Sequence, residues 1–300
     1  MASLLHISVI VPTYNRVASL QRLITSLGSL EVLDSIQAEV IIVDNGSTDN
    51  TGEILSQTKG RPNRFDFRVS QETNRGKSNV LNHGIALARG EILIMVDDDV
   101  VVHRRWMAEH WECHRVSEFG AVQGRVLPGV DPQGRPADPN RLREYNIPIV
   151  DYGGEIRSIR GFTGTNVSFK REVVRQVGLF NPRLGPGALG FSEDTEYSIR
   201  MRRAGFKIGY NPNAVAYHEL NPERYGRAYN RRAEYRKGLS RSIYREDSIW
   251  LKVLPDLMAQ CVRYGIYRLL GKAQKAYKIE GRILKSWGYL SGKLGSSKSI

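Results

Sequence analysis

The sequence predicts an α/β protein built on a largely parallel sheet, and three observations carry that prediction. Short apolar runs alternate with stretches of helical periodicity through the first half. Polar residues collect where those runs end, which is the ligand-binding edge of an open α/β sheet. With 300 residues, 41% of them hydrophobic, the chain can bury a substantial core.

Residues 7–11 read as the first strand, with Pro12 as its stop. Leu20, Leu23, Ile24 and Leu27 then recur at helical spacing. Residues 40–43 form a second buried strand ending at Asp44, and residues 45–49 are a turn rich in helix-capping side chains. Residues 67–69 make a short third strand, followed by a helix from about Lys77 to Ala88 that Gly90 ends. The apolar run 92–96 is a fourth strand and opens directly onto Asp97-Asp98-Asp99. A helix over 106–116 and a strand over 121–126 follow. From Pro128 to Gly154 the chain carries Pro132, Pro136, Pro139 and Pro148, the texture of a long irregular excursion. A strand over 165–169 and a helix over 171–177 come next. The glycine-rich passage 184–190 reads as a lid before Glu193-Asp194-Thr195-Glu196.

Composition narrows the classes. Cys113 and Cys261 are far apart, which excludes a disulfide framework or a cysteine zinc site and fits a reducing compartment. The N-terminus lacks the basic-then-apolar pattern of a signal peptide, and no run of 18 apolar residues predicts a membrane span. A cytoplasmic location is expected. The net charge of +13 is uneven: residues 201–300 hold 21 Lys+Arg against 7 Asp+Glu, and residues 1–200 hold 23 against 24. Such asymmetry marks a partner surface in the last third.

Three adjacent carboxylates at a strand end raise one another's pKa unless positive charge sits nearby. A hard divalent cation shared with substrate phosphates answers this, and a solvated acidic turn is the competing reading. Thr13, Asn15 and Arg16 follow strand one and Asp44 follows strand two, so several strands deliver polar groups to one edge. Arg75 and Lys77 add cations at a helix start, where free N–H groups favour phosphate. No Gly-x-x-x-x-Gly-Lys-Ser/Thr loop occurs, against an ordinary ATPase, and Gly185-Pro186-Gly187-Ala188-Leu189-Gly190, although it fits Gly-x-Gly-x-x-Gly, does not directly follow an expected strand, against a dinucleotide enzyme. Together these features suggest a nucleotide diphosphate.

Val9-Ile10-Val11-Pro12-Thr13-Tyr14-Asn15-Arg16, Val43-Asp44-Asn45-Gly46-Ser47-Thr48-Asp49, Asn74-Arg75-Gly76 and Asp97-Asp98-Asp99 stand in an order that resembles glycosyltransferase family 2. Gly164-Thr165-Asn166, Gly178-Leu179-Phe180, Glu193-Asp194 with Arg200, and His218 extend the resemblance over roughly residues 6–218. The resemblance implies a GT-A fold, a nucleotide-diphosphosugar donor (UDP-, GDP- or dTDP-linked) and Mg2+ or Mn2+. It assigns Pro12, Thr13, Asn15, Asp44, Arg75, Asp97, Asp98, Thr165, Asn166 and Glu193 to donor binding. Within that set, Thr13 and Asp44 hold the nucleobase side, Arg75 the base or pyrophosphate, and Asp97 the ribose. Asp99 and His218 are the implied metal ligands, and Asp194 is the implied general base. The processive synthases of the family carry Gln-x-x-Arg-Trp and transmembrane helices. This chain has neither, since Gln260-Cys261-Val262-Arg263-Tyr264 lies too far beyond Asp194.

The resemblance implies a catalytic domain over 1–220, its nucleotide-binding half about 1–100 and its acceptor-binding half about 101–220. Residues 221–300 form a basic, amphipathic helical extension. There Arg224, Arg227, Arg231, Arg232, Arg236, Lys237, Arg241 and Arg245 interleave with Tyr225, Tyr229, Tyr235 and Tyr244. Ile249, Trp250, Val253, Leu257, Cys261, Tyr264, Tyr267 and Leu270 follow at helical intervals, with Pro255 expected to kink or split the helix. An anionic membrane surface at the inner face of the cell fits such a helix. Packing on the catalytic domain, an oligomer interface and a solvated charge run are the alternatives. Nucleic acid is not the expected partner, because no nucleic-acid-binding fold accompanies the charge. The expected activity is inverting transfer of one sugar to a glycan or lipid-linked acceptor. A non-catalytic carbohydrate- or nucleotide-binding relative, a scaffold, and a nucleotidyltransferase are the competing classes.

Overall fold

The structure, a computed structural model, describes residues 6–31, 36–58, 65–131, 134–136, 149–221, 224 and 226–295. Pro132, Pro139 and Pro148 of the proline-rich excursion lie outside the described residues. The chain forms two units: one of residues 1–182 and 193–222, the other of residues 183–192 and 223–300.

The first unit begins with β1 (Ile7–Thr13), α1 (Val17–Gly28), β2 (Ala38–Asp44), α2 (Thr51–Thr58), β3 (Asp66–Gln71), α3 (Lys77–Leu87) and β4 (Ile92–Val96). After these come β5 (Val100–Val102), α4 (Trp106–Val116), β6 (Ala121–Pro128), β7 (Arg157–Ile159), β8 (Asn166–Lys170), α5 (Arg171–Val177), α6 (Glu193–Arg203) and β9 (Ile208–His218). One sheet takes the order β3-β2-β1-β4-β8-β6-β9-β5, with β7 on β9. The four strands β3, β2, β1 and β4 are parallel throughout, as the alternating pattern requires. β8 enters antiparallel between β4 and β6. Because β2 and β4 flank β1 on opposite sides, the strand order reverses there, and a crevice opens beyond the carboxyl ends of β1 and β4.

The apolar runs are continuous because both sheet faces are covered. Val9 and Val11 pack with Leu20, Leu23 and Trp106 on one face, whereas Ile10 packs with Val80, Leu81 and Tyr197 on the other. At the amino-terminal edge the side chain of Glu39 is fully buried. It accepts from Ser8 Oγ (2.7 Å), Arg68 (2.9 Å), the Arg89 N–H (2.8 Å) and the Arg89 guanidinium (2.7 Å). Burial opposes its charge, but these donors win and hold its pKa below the ordinary value.

Some local expectations change. Pro12 lies within β1 and does not end it: its ladder partner is Val43 of β2, while pairing to β4 stops at Ile10. With one neighbour absent, a residue lacking an N–H is tolerated. β5, only three residues long, and β7, equally short with two of its three residues exposed, gave no periodic signal of their own.

In the second unit α7 (Arg227–Tyr244) is followed by a π-helical turn (Ile249–Val253), α8 (Leu254–Leu269) and α9 (Ala273–Gly295). The segment divides near Pro255 as expected; the proline occupies the first turn of α8, where an N–H is dispensable. α7 and α9 touch through glycines. A Cβ on Gly238 would lie 2.1 Å from the Lys285 carbonyl, and one on Gly288 would lie 2.0 Å from that of Tyr235. Part of the arginine run is engaged here, since Arg227 and Arg231 both bind the buried Glu280, and Arg241 binds Asp247. The glycine-rich passage belongs to this unit, with Lys237 Nζ 5.6 Å from the Phe191 ring centre.

Candidate active site

The crevice at the switch point gathers the acidic triplet and two cations. β1 ends at Thr13, whose hydroxyl donates to Asp98 (2.8 Å). α1 starts just beyond, and the Arg16 guanidinium binds Asp99 and lies 3.7 Å from Asp98. Asp97 accepts from Lys77, the first residue of α3, and from Thr165 Oγ1 (3.2 Å). Lys77 Nζ also stands 3.9 Å from Glu193, at the start of α6. The sequence places Arg16 at the ligand edge and Lys77 at a phosphate-favouring helix start, but the family resemblance assigns neither of them a site role. Three carboxylates at one strand end demand such partners, and that demand was the available signal.

The electrostatics follow from burial. Asp98 is buried beside Asp99, and desolvation pushes its pKa up to about 7 although Arg16 pulls the other way. Desolvation also lifts Glu193 to about 7, helped by the charge of Asp194. Asp194 is raised as well, again chiefly by burial, against donors from the backbone N–H of Thr195 (2.6 Å) and Gly164 (3.3 Å). Burial works against the charge on Lys77, but Asp97 and Glu193 override it and keep its pKa above the ordinary value. The two acidic clusters are thus joined through one ammonium group.

The implied metal ligands meet. Asp99 and His218 are both buried, with His218 Nε2 3.4 Å from Asp99 Oδ1. β9 brings His218 there by pairing with β5, in register with Val100. His218 Nδ1 is 2.7 Å from the Glu219 carbonyl, an acceptor only, so Nδ1 carries the proton. That leaves Nε2 as the ring atom facing the Asp99 carboxylate, the pair of groups that a shared cation would bind. One carboxylate and one imidazole fit Mg2+ or Mn2+, which Asp99 and His218 would hold in company with donor phosphates. Among the described residues, no group of three or more His, Cys, Asp or Glu stands ready to hold a metal.

The remaining assigned residues divide. Asp44 is buried at the end of β2, where its carboxylate accepts the Ser47 N–H (3.1 Å) and hydroxyl (2.5 Å). Asn15 adopts φ 51°, a left-handed conformation that asparagine tolerates. Its carbonyl oxygen accepts from the Thr48 N–H (2.7 Å), tying the β1 loop to the turn after β2. Asn45 binds the carbonyls of Glu72 (2.7 Å) and Asn74 (2.9 Å) and the N–H of Gly76 (2.9 Å), so it shapes the loop presenting Arg75. Arg75 is exposed, donates to the Tyr14 hydroxyl (3.0 Å) and lies over the Tyr14 ring. Asn45 and Tyr14 were not singled out individually.

Asn166 departs from its donor-binding assignment. It is fully buried, receives hydrogen bonds from Trp106 Nε1 (2.8 Å) and His110 (2.9 Å), and donates to the carbonyls of Ala214 (2.8 Å) and Arg125 (3.0 Å). Its amide has no capacity left for a ligand. Its predecessor Thr165 faces the triplet.

The Glycosyl transferase family 2 pattern matches residues 8–178, more than half of the chain, and spans β1, the triplet and β8. The chain belongs to glycosyl transferase family 2. The poly-β-1,6-N-acetyl-D-glucosamine synthase of Staphylococcus epidermidis is 28% identical over 240 residues, covering 77% of this chain and 54% of its own. The chain therefore spans about half the length of the curated relatives it matches. A mannosyltransferase from Pyrobaculum calidifontis, solved with GDP-mannose and Mn2+, superposes with a TM-score of 0.59 at 18% identity, covering 98% of this chain and 76% of that one. GalNAc-T7, solved with UDP, GalNAc and Mn2+, gives 0.58 at 19%, covering 81% and 51%. These likenesses establish the GT-A fold.

Proposed function

We propose that the protein is an inverting glycosyltransferase that moves one sugar from a UDP-, GDP- or dTDP-linked donor to a glycan or lipid-linked acceptor. The observation that carries this reading is Lys77, whose ammonium links Asp97 at the donor edge to the Glu193–Asp194 pair. Leaving-group side and proton-accepting side then lie within reach of one side chain.

In this reading Asp97 takes the ribose hydroxyls, Arg75 over Tyr14 forms a platform for the base, and Arg16 and Lys77 turn to the phosphates. A Mg2+ or Mn2+ ion, held by Asp99 and His218 when bound, supplies Lewis-acid neutralisation of the diphosphate. The acceptor oxygen attacks the anomeric carbon while Asp194 removes its proton. The bond from that carbon to the phosphate oxygen breaks on the opposite face, the nucleoside diphosphate departs, and the configuration inverts. Burial raises the basicity of Asp194 above that of an ordinary aspartate, which suits a general base.

The deciding experiment incubates the protein with sugar nucleotides, Mn2+ and candidate acceptors, and identifies the released product. A nucleoside diphosphate together with an inverted glycoside supports the reading. Pyrophosphate indicates a nucleotidyltransferase, and donor binding without turnover indicates a binding protein. Repeated transfer is a second reading, favoured by the polymer synthase among the relatives. The absence of Gln-x-x-Arg-Trp favours single transfer, and product length on a soluble primer separates the two. We further assign the second unit an anionic membrane surface on the cytoplasmic side as its partner, which matches a lipid-linked acceptor. No helix among the described residues is long and apolar enough to cross a membrane, so contact rather than spanning is proposed.

A further inference from the structure

The second unit carries an apolar face that is exposed along its whole length. α8 has no buried residue. Met258, Val262 and Ile266 repeat every four residues and are 70%, 64% and 47% exposed. Trp250 and Leu251 of the preceding π-helical turn extend the row at 79% and 86%, and Leu269 closes it at 89%. Single exposed apolar residues need no explanation, but a contiguous helical row marks a surface that meets something apolar.

The charge around the row selects the occupant. Between Ser248 and Ile279 stand six cations, Lys252, Arg263, Arg268, Lys272, Lys275 and Lys278, against one acid, Asp256. The second unit as a whole has a net charge of +13, equal to that of the entire chain, which leaves the first unit neutral. A second copy docking through the same face would bring two such charges together, as a two-fold interface requires. An anionic bilayer complements them, because long Lys and Arg chains reach headgroup phosphates while the apolar row enters the acyl boundary. Trp250 stands at one end of the row, and tryptophan prefers that boundary.

We infer that α8 with its π-helical turn is an in-plane interfacial helix. Its face of Leu251, Met258, Val262, Ile266 and Leu269 inserts into an anionic membrane surface, and the flanking cations hold the headgroups. This rests on the membrane-surface part of the proposed function and is independent of the donor-site chemistry.

The test is co-sedimentation of the full chain with phosphatidylcholine vesicles, with or without phosphatidylglycerol. The variants are Met258→Asp/Val262→Asp/Ile266→Asp and Lys252→Gln/Arg263→Gln/Arg268→Gln. The native chain is expected to bind the mixed vesicles and to lose binding as salt rises. The apolar variant should lose about tenfold or more of its partition even at low salt. The cation variant should lose affinity for the mixed vesicles only. Circular dichroism and donor hydrolysis, expected to be unchanged, certify folding. If the apolar variant binds like the native chain, α8 is not the inserting element although the membrane reading stands. If the native chain binds neither vesicle, both fall and sugar transfer is untouched. Equal binding to both vesicle types overturns the anionic selectivity. A dimer that the apolar variant alone dissolves, without vesicle binding by the native chain, makes a second copy the occupant.

Discussion

Thr165 and Asn166 are adjacent, yet they belong to two regions organised on opposite principles. Thr165 joins the crevice, where Asp97, Asp98, Asp99, Glu193 and Asp194 face Arg16 and Lys77 with more acids than bases. Asn166 joins a neutral network inside the core, with Trp106, His110, Ser168 and His114 linked at 2.8–2.9 Å. Apart from His114 Nδ1, which has no hydrogen-bond partner among the described residues, the network is satisfied within itself, and buried groups of that kind hold a structure together. The crevice does not close on itself. Its surplus negative charge calls for a cation, and its raised carboxylate pKa values suit proton transfer.

The comparison breaks most sharply at Asp194. We expect Asp194→Asn to lower transfer by about a thousandfold, with donor binding retained in a thermal-shift assay. Unchanged turnover would remove Asp194 as the base.

On the neutral side the large effects concern stability. Burial holds His110 at about 4 and His114 at about 3, below the ordinary 6.5, so the folded chain keeps them neutral while the unfolded chain takes up protons. The two histidines' own contribution should therefore fall as pH drops from 6.5 towards 4, by about 3 kcal/mol for each histidine at pH 4, while proton uptake by Asp98 and Glu193 in the folded crevice works in the opposite direction. Urea midpoints at pH 7 and pH 5 for the native chain and for His110→Gln/His114→Gln check this: the change in midpoint on acidification should be less unfavourable in the variant, and an identical change in both would contradict the burial. Asn166→Ala strands Trp106 Nε1 and two carbonyls, and should cost about 2–4 kcal/mol with the donor KM unchanged. A raised KM with native stability would return Asn166 to the donor site.

Smaller effects separate the two cations. Lys77→Met removes the charge that stabilises the Glu193–Asp194 carboxylates. The acid limb of kcat/KM should then move up by about one pH unit, and a downward shift would sever Lys77 from the pair. Arg16→Gln removes the guanidinium that occupies Asp99, so Mn2+ without donor should bind a few-fold more tightly, on the order of a kcal/mol or less. Calorimetry reads that sign directly.

Much of the fold was legible because buried parallel strands write their burial into continuous apolar runs, as in residues 7–11, 40–43 and 92–96. The triplet, Asp194 and His218 were legible as ordered motifs. The partition of Thr165 from Asn166 was not, because it depends on which side of β8 each side chain leaves, and that is fixed by the antiparallel entry of β8. Lys77 was ambiguous for a related reason. A lysine at a helix start is usually solvated, and only the folded crevice brings Asp97 and Glu193 to it.

Glu39, at the edge of the sheet remote from the crevice, acts on the crevice through strand alignment. Ser8 pairs with Glu39 in the ladder, and five residues later the same ladder pairs Thr13 with Asp44. A slip of one residue would withdraw the carboxylate from Ser8 and Arg89 and present it to the hydrophobic face, leaving a buried charge unanswered. Glu39 is thus a peg fitted to one alignment of β1 and β2, the alignment that also sets Thr13 opposite Asp44.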